Sequence, residues 1–195
     1  SVKGFDVMKA VDSFCGPGGL SLGIQRAGFE VVYAFDNDLK STETYKHNLG
    51  EHVEHIDIRK VTAEHIFQKT GIKPKELDLL AGGPPCQGFT KARKNGHKDD
   101  ARRHLTLEYL RLVVELKPKT FLMENVPIMA QKRGVEFINK IKEELEGSYN
   151  LFPHYYQKIS VIYQANGILQ DKVICLTQAV KWYKFSAEQG HAKAQ

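Results

Sequence analysis

The feature that most constrains the fold is an apolar run that ends abruptly in glycines and is followed by a helical pattern. Residues 10–15 (Ala-Val-Asp-Ser-Phe-Cys) are typical of a buried strand, and residues 16–19 (Gly-Pro-Gly-Gly) are typical of the turn after it. Small and apolar residues then recur at helical spacing, at Leu20, Gly23, Ile24 and Ala27. A strand, a glycine-rich turn and a helix in this order form the first unit of a Rossmann-like nucleotide site.

The spacing of these glycines also restricts which class of ligand the site can bind. It is not the Gly-x-Gly-x-x-Gly of dinucleotide sites, and the Lys-Ser/Thr pair of a P-loop does not follow. A dinucleotide or an ATP phosphate is therefore disfavoured. A neutral or cationic nucleoside is the better candidate.

The second predicted strand ends in acidic residues. Residues 30–35 predict this strand, which leads into Asp36 and Asp38. A carboxylate at this position can accept hydrogen bonds from both hydroxyls of a ribose, as it does in dinucleotide sites. The alternative is that these acids only cap the helix predicted for residues 39–49, and we expect Asp38 to do so. Asp36 is therefore the candidate ribose ligand.

The third predicted strand is also followed by an acid. Residues 52–58 predict the strand, with Asp57 and Ile58 at its end, and residues 61–70 predict the next helix. The carboxylate of Asp57 can reach an adenine amino group. A single Asp after a strand is nevertheless more often a turn former.

A stiff loop after the fourth predicted strand presents a thiol. Residues 77–81 predict a short buried strand, and residues 82–90 (Gly-Gly-Pro-Pro-Cys-Gln-Gly-Phe-Thr) follow it. Two prolines fix φ, while the flanking glycines allow close approach of a ligand or another backbone. Cys86 thus lies beyond the carboxyl end of a strand, where open α/β sheets bind their ligands. The alternative is a tight turn that contains a buried cysteine.

The segment behind this loop is basic. Residues 91–104 contain six Lys or Arg against two Asp, and they are too polar to pack in a core. A solvated loop is the ordinary interpretation of such a segment. Beside a reactive cysteine, it is also a candidate clamp for a phosphate backbone.

An acid follows the fifth predicted strand. Residues 105–116 carry an apolar helical face, and residues 119–123 predict a strand that ends at Glu124. Parallel topology places the ends of the fourth and fifth strands side by side. We therefore expect Glu124 to face Cys86 across a cleft.

The rest of the chain is less informative. Residues 131–146 predict an amphipathic helix, residues 149–163 a hairpin or edge strands, and residues 172–176 a last strand.

The length of 195 residues fits one domain, and the net charge of +5 permits a polyanionic partner without requiring one. The three cysteines are far apart, which predicts reduced thiols rather than a disulfide framework or a zinc site. We expect no membrane span and a location in the cytoplasm, or in the nucleus of a eukaryote.

Three of these segments together resemble the DNA cytosine-5 methyltransferases. Residues 12–23 with Ala27 and Gly28, then residues 82–90, then Glu124 with the Asn-Val that follows it, look like the first, fourth and sixth sequence blocks of that family, in the same order. The resemblance covers about residues 8–150. It implies a Rossmann-like S-adenosylmethionine-dependent α/β fold, with a mostly parallel twisted sheet and helices on both faces. The catalytic domain would span residues 1–176.

The resemblance implies methyl transfer from S-adenosylmethionine to carbon 5 of cytosine in DNA, or in RNA, as in restriction–modification systems. That carbon is a poor nucleophile, so a thiolate first adds to carbon 6, and the target base must leave the duplex to be reached. The implied catalytic residues are Cys86, Glu124 and Asn125, with Asn125 ordering the loop. The implied cofactor-binding residues are Phe14, Cys15, Gly16, Gly18, Gly19, Asp36, Asp57, Ile58 and Pro84. The implied substrate-binding residues are Pro85, Gln87, Arg93, Lys94, Arg102 and Arg103. No metal is implied.

The carboxyl-terminal part departs from the family. Residues 167–173 lack the proline and the two arginines of the family's eighth block, and neither a target-recognition region nor the final block follows. Residues 177–195 look instead like part of one tetratricopeptide-like repeat, or an ordinary amphipathic helix, which would pack on the domain or on a protein partner. The alternative to an active enzyme is therefore a truncated or inactive methyltransferase fold that serves as a binding module or as one half of a split enzyme.

Overall fold

The computed structural model describes residues 7–85, 101–124, 143, 149–154 and 160–165. Within these residues the strands are β1 (Met8–Ser13), β2 (Phe29–Asp36), β3 (Val53–His55), β4 (Leu79–Gly82), β5 (Thr120–Glu124), β6 (Tyr149–His154) and β7 (Ser160–Ala165). The helices are α1 (Gly19–Arg26), α2 (Leu39–Leu49), α3 (Ala63–Thr70) and α4 (Ala101–Leu116), and a 3-10 turn covers Ile58–Lys60.

All seven of these strands form one sheet, in the order β3-β2-β1-β4-β5-β7-β6. Strands β1 to β5 are parallel to one another, whereas β7 is antiparallel to both β5 and β6. The chain builds outward from β1 to β3 and then returns to place β4 on the other side of β1. This reversal of strand order opens a crevice at the carboxyl ends of β1 and β4, which is where doubly wound sheets bind their ligands.

Two apolar cores cover the two faces of the sheet. Neighbouring residues of a strand point to opposite faces, so Ala10 joins one core and Val11 joins the other. The core of Val11 includes Ile66 of α3 and Leu112 of α4. The core of Ala10 includes residues of α1 and α2. Helices therefore lie on both faces, and the predicted fold class is confirmed.

Polar contacts hold the central strands in register at the end opposite the crevice. Asp78, just before β4, accepts a hydrogen bond from the backbone N–H of Lys9 at 2.8 Å and forms an ion pair with Lys119 at 2.8 Å. Its carbonyl oxygen accepts the hydroxyl of Thr120 at 2.7 Å. One residue thus ties β1, β4 and β5 together at their amino ends.

Several predicted boundaries were wrong. Strand β1 covers residues 8–13 and not 10–15, because the backbone turns at Phe14 with a φ of 55°. Helix α4 begins at Ala101, so residues 101–104 are helical rather than part of a solvated loop, in keeping with the helix propensity of Ala and Arg. Strand β3 ends at His55 and not at Ile58. His55 pairs with Asp36, the last residue of β2, and β2 is the only partner of β3 within the described sheet, so the ladder stops there.

Of the other predicted elements, some were confirmed and the rest fall outside the described residues. Helix α2 has the predicted bounds of 39–49, and residues 149–154 and 160–165 add an antiparallel strand pair at the edge of the sheet. The predicted helix over residues 131–146 lies outside the described residues except for position 143, which is helical. The predicted strand over residues 172–176 and the tail over residues 177–195 lie outside the described residues.

Candidate functional site

The glycine-rich turn after β1 has a backbone that only some residues adopt easily. Phe14, Gly16 and Gly18 have φ values of 55°, 53° and 102°, in the left-handed region. A Cβ at Gly18 would lie 2.3 Å from a side-chain carbon of Leu49, so glycine is required there for α2 to pack on the turn. A Cβ at Gly16 would meet nothing within 4 Å. The turn is therefore closed on the side of α2 and open at Gly16.

Asp36 connects the end of β2 to this turn. Its Oδ2 accepts the backbone N–H of Gly16 at 2.9 Å, and its Oδ1 accepts the N–H of Asp38 at 2.9 Å. Asp38 caps α2 by accepting the N–H of Ser41 at 2.9 Å, as predicted. The two acids thus have different tasks. Each oxygen of half-buried Asp36 keeps acceptor capacity for a ligand hydroxyl.

Asp57 lies beyond β3 and not at a strand end. It caps the 3-10 turn by accepting the backbone N–H of Arg59 at 2.9 Å, and the Arg59 guanidinium also binds its carboxylate. These hydrogen bonds lower the pKa of Asp57 to about 2. Ile58 points into the core and is 3% exposed, so its side chain supports the turn from below.

A buried acid lies beneath the glycine-rich turn. Asp12 accepts the hydroxyl of Ser21 at 2.6 Å, Ser21 accepts the hydroxyl of Tyr45 at 2.9 Å, and Tyr45 contacts Nε2 of His52 at 3.0 Å. Burial raises the pKa of Asp12 to about 7. Its Oδ1 is buried with no hydrogen-bond partner among the described residues.

Sequence reasoning placed Asp12 only within a motif and missed this chain of hydrogen bonds. The available signal was an acid inside an apolar strand, since a charged group is almost never fully buried without a partner.

The ends of β4 and β5 meet at the other side of the crevice. A Cβ at Gly82 would lie 2.2 Å from the hydroxyl of Ser13, and a Cβ at Gly83 would lie 3.4 Å from Oε2 of Glu124. The carboxylate of Glu124 therefore borders the start of the loop that leads to Cys86. Pro84 is buried and Pro85 is half-buried in this loop.

The thiol of Cys15 is too deeply buried to act as a nucleophile. It is 4% exposed, and burial raises its pKa far above the ordinary range. A thiol in such a place stays protonated and unreactive. Cys15 contributes its backbone to the turn, with its N–H donating to the carbonyl of Phe35 at 3.2 Å.

Several predicted site residues lie outside the described residues: Cys86, Gln87, Arg93, Lys94 and Asn125. Arg102 and Arg103 lie in the first turn of α4, and Gly19 is the first residue of α1. The structure thus brings together Phe14 to Gly19, Asp36, Gly83 and Glu124 along neighbouring strand ends.

Comparison with known proteins decides the family. The profile of the C-5 cytosine-specific DNA methylases matches residues 8–160. The chain belongs to this family. It is 39% identical over 146 residues to the Type II methyltransferase M.FnuDI of Fusobacterium nucleatum, covering 74% of this chain and 40% of the relative. It is 44% identical over 121 residues to the Type II methyltransferase M.HindV of Haemophilus influenzae, covering 61% of this chain and 38% of the relative.

Solved structures give the same result. A crystal structure described as a DNA modification methyltransferase encoded within an E. coli prophage superimposes with a TM-score of 0.68 at 32% identity, covering 80% of this chain and 45% of the other. The S. pombe Dnmt2 methyltransferase shares the fold, with a TM-score of 0.64 at 21% identity, covering 84% of this chain and 52% of the other. The resemblance to cytosine-5 methyltransferases is therefore confirmed, and with it the family's use of S-adenosylmethionine.

The chain spans less than half the length of several curated relatives. It covers 28% of M.AgeI, 48% of M.AquIA and 40% of M.FnuDI. In the part of the chain that the structure describes, no helix is both long and apolar enough for a membrane span. The same part holds no cluster of three His, Cys, Asp or Glu that could bind a metal ion.

Proposed function

We propose that this chain carries the cofactor-binding and catalytic part of an enzyme that methylates carbon 5 of cytosine in DNA. The observation that carries the proposal is the place of Glu124. Its carboxylate borders Gly83 at the start of the Cys86 loop, across the switch point of the sheet from Asp36. A reacting base and a methyl donor can therefore occupy one crevice.

The residues of the first three strand ends fit S-adenosylmethionine. The space at Gly16 is open for a ligand, and Asp36 has acceptor capacity for ribose hydroxyls. Asp36 and Asp57 make this side of the crevice acidic, which disfavours a phosphate and favours a cation. When bound, S-adenosylmethionine supplies an electrophilic methyl group on a sulfonium. Phe14 and Pro84 are apolar candidates to border the nucleoside, whereas Ile58, whose side chain lies in the core, offers only its backbone.

The chemistry at the base requires a nucleophile and a proton donor or hydrogen-bond donor. The Cys86 thiolate adds to carbon 6, and the electron pair of the 5,6 double bond makes carbon 5 nucleophilic. The carboxyl of Glu124, held against the base, protonates or hydrogen-bonds the ring nitrogen at position 3 and so stabilises the developing negative charge. After methylation, loss of the proton on carbon 5 and departure of Cys86 restore the aromatic ring.

The DNA backbone is assigned to the basic side of the crevice. Residues 91–104 follow β4 in the chain and include the first turn of α4, in which Arg102 and Arg103 lie. Their charges serve to contact phosphates without reading sequence, whether the substrate is DNA or RNA. Pro85 and Gln87 flank Cys86 in the loop and are proposed to contact the base. An enzyme of this kind acts in the cytoplasm.

A second candidate function rests on the coverage. The chain spans less than half of the relatives M.FnuDI and M.HindV, which is the extent expected of one part of a split enzyme. In this alternative the chain is one half of a split enzyme or a binding module. Residues 177–195, for which the sequence predicts a helix, are then its proposed contact with a protein partner.

The experiment that tests the proposal is covalent trapping on DNA with 5-fluorocytosine. Fluorine replaces the proton that leaves carbon 5, so the bond to the thiol persists as an adduct that migrates slowly on a denaturing gel. Cys86→Ser should abolish the adduct, and Glu124→Gln should slow its formation by about a hundredfold or more. Cys175→Ser removes a thiol that has no proposed role and serves as the matched control.

Two results would contradict the proposal. Equal trapping by the Cys86→Ser variant would remove Cys86 as the nucleophile. No adduct with the wild-type chain, even together with a subunit that supplies the segments found in longer relatives, would favour the binding module.

A further inference from the structure

Asp12 is the innermost member of the chain of hydrogen bonds beneath the glycine-rich turn. Its side chain is fully buried, and its Oδ2 accepts the hydroxyl of Ser21 at 2.6 Å. The chain continues through the hydroxyl of Tyr45 at 2.9 Å to Nε2 of half-buried His52 at 3.0 Å. The other oxygen of Asp12, Oδ1, has no hydrogen-bond partner among the described residues. An ionised carboxylate with one unpaired oxygen is costly inside a protein, which favours the protonated form.

The chain of hydrogen bonds can satisfy both forms of this carboxyl. When Asp12 is ionised, the hydroxyls of Tyr45 and Ser21 both donate in the direction of the carboxylate. When Asp12 is protonated, its O–H can donate to Ser21, and both hydroxyls then donate in the direction of His52, whose Nε2 accepts. A hydroxyl is both donor and acceptor, so the two arrangements need no movement of heavy atoms. The fold therefore accommodates either charge on Asp12.

A charged group acts on Asp12 across the sheet, namely the carboxylate of Asp36. Asp12 pairs with Ala34 of β2, and Asp36 lies two residues further along that strand on the same face, so roughly 8 Å separate the two Cα atoms by ordinary strand spacing. Burial and the Asp36 carboxylate raise the pKa of Asp12 to about 7, against the hydrogen bond from Ser21. Near neutral pH the carboxyl is therefore about half protonated.

The other groups that surround Asp12 are neutral. They are Ala34 of β2, Ala81 of β4, the hydroxyls of Ser21 and Tyr45, and the buried thiol of Cys15. At the outer end of the chain of hydrogen bonds, burial lowers the pKa of His52, and Glu30 opposes this effect. A cation that enters the crevice beside Asp36 thus has in Asp12 a buried group whose charge it can change without touching it.

We propose that Asp12 makes this site prefer a cationic ligand over a neutral one, because Asp12 gives up its proton when a sulfonium enters the crevice and keeps it when the ligand is a neutral thioether. The inference rests on the proposed function, since it requires the methyl donor in this crevice. The O–H bond of the carboxyl breaks, its electron pair stays on the carboxylate, and the proton passes to solvent. Once the methyl group has left, the ligand is neutral and Asp12 takes a proton back. The product is therefore bound less tightly than the donor.

Calorimetry on the full chain can count this proton. S-adenosylmethionine and S-adenosylhomocysteine would each be titrated, up to millimolar concentration, near pH 7 in buffers that differ in ionisation enthalpy. If the sulfonium favours the ionised carboxyl about tenfold, about 0.4 proton leaves for each S-adenosylmethionine bound. The affinity for S-adenosylmethionine relative to that for S-adenosylhomocysteine should also rise about fivefold between pH 6 and pH 8. Both effects are taken as the excess of the wild type over Asp12→Asn, so that protons of the ligands themselves cancel.

Three further variants identify the titrating group. Asp38→Asn makes the same change at the exposed cap of α2, where the pKa is already lowered, so both effects should remain. His52→Gln removes the imidazole but can still hydrogen-bond to Tyr45, and both effects should remain here too. Ser21→Ala removes a hydrogen bond that lowers the pKa of Asp12, so the midpoint of the pH dependence should move upward.

The outcomes distinguish this inference from the proposed function. If Asp12→Asn releases as many protons as the wild type on binding S-adenosylmethionine, the role of Asp12 is refuted while the cofactor site stands. If His52→Gln abolishes the release, or if Asp38→Asn does, the titrating group is a different one and the inference is wrong. Should Asp12→Asn fail to fold, an unmoved midpoint in Ser21→Ala refutes the inference by itself. If the chain binds neither compound at millimolar concentration, the proposed function fails, and this inference fails with it.

Discussion

Replacing the buried acid Asp12 by asparagine should change how the stability of the fold depends on pH. The side chain of Asp12 is fully buried, and burial raises its pKa from 3.8 to about 7. The nearby Asp36 carboxylate raises it further, whereas the hydrogen bond from Ser21 acts in the opposite direction. Neutral Tyr45 and Cys15 complete the surroundings, and burial lowers the pKa of the nearby His52.

The direction of this pH dependence of stability follows from proton linkage. A carboxyl with a raised pKa binds its proton more tightly in the folded chain than in the unfolded chain. Its contribution to stability is complete below the unfolded pKa of 3.8 and is lost as the pH rises through about 7. That shift corresponds to about 4 kcal/mol in total, of which about 3 kcal/mol falls between pH 5 and pH 8. The amide introduced by Asp12→Asn cannot titrate, so the variant lacks this loss.

Urea unfolding followed by circular dichroism would measure the effect. The free energy of unfolding of the wild type minus that of Asp12→Asn should fall by about 3 kcal/mol between pH 5 and pH 8, with unchanged urea dependence. Asp38→Asn is the control. The hydrogen bond from Ser41 lowers the pKa of Asp38 from 3.8, so its contribution is lost only as the pH falls below the unfolded pKa, and the wild-type minus Asp38→Asn difference should stay flat between pH 5 and pH 8. A wild-type minus Asp12→Asn difference that is flat or rises with pH would show that Asp12 is not held neutral by burial.

Two further substitutions test the strand ends. Asp36→Ala should weaken binding of S-adenosylhomocysteine in calorimetry by about tenfold to a hundredfold, because the proposed ribose acceptor and the partner of Gly16 N–H are both lost. Equal affinities would remove Asp36 from the ribose role. Gly82→Ala should lower the free energy of unfolding by about 1–3 kcal/mol, since its Cβ would lie 2.2 Å from the hydroxyl of Ser13 and 2.9 Å from its carbonyl oxygen. Unchanged urea denaturation would show that β1 and β4 can separate at no cost.

The sequence was most informative where one residue type determines one local structure. Helix α2 has its predicted bounds because Asp38 caps it and Gly50 follows it. The parallel order of the central strands follows from short apolar runs that alternate with helices, since crossover connections place them so. Glu124 and the Cys86 loop were predicted to be neighbours from that topology, and the contact of Glu124 with Gly83 is what parallel pairing of β4 and β5 produces.

Contacts between distant side chains could not be predicted in the same way. Asp12, Ser21, Tyr45 and His52 come from a strand, two helices and a loop, and only packing brings them into one chain of hydrogen bonds. The need for glycine at position 82 also depends on its neighbours. Ser13 and Tyr109 fill the space where a Cβ would lie, and neither is near Gly82 in the sequence.

The end of β3 is determined by its partner strand and not by the local sequence pattern. Residues 52–58 alternate well enough to favour a longer strand, yet an edge strand continues only while its partner does. Strand β2 ends at Asp36, so the chain leaves the sheet after His55 and Asp57 becomes a helix cap. The acid that was predicted at a strand end therefore caps the 3-10 turn and forms an ion pair with Arg59.

The charges of the site are divided along the sheet edge, and the division follows from strand order. The ends of β2 and β3 carry or lead to Asp36 and Asp57, which together favour a cationic ligand on this side, whereas burial raises the pKa of Asp12 in β1 to about 7 and keeps it neutral below that pH. On the other side, the segment after β4 contains the basic residues 91–104. A sulfonium and a phosphate backbone need surroundings of opposite sign. Because β1 separates β2 from β4, the proposed cofactor side and the proposed DNA side lie on opposite sides of the switch point, with Glu124 at the end of β5 on the proposed DNA side.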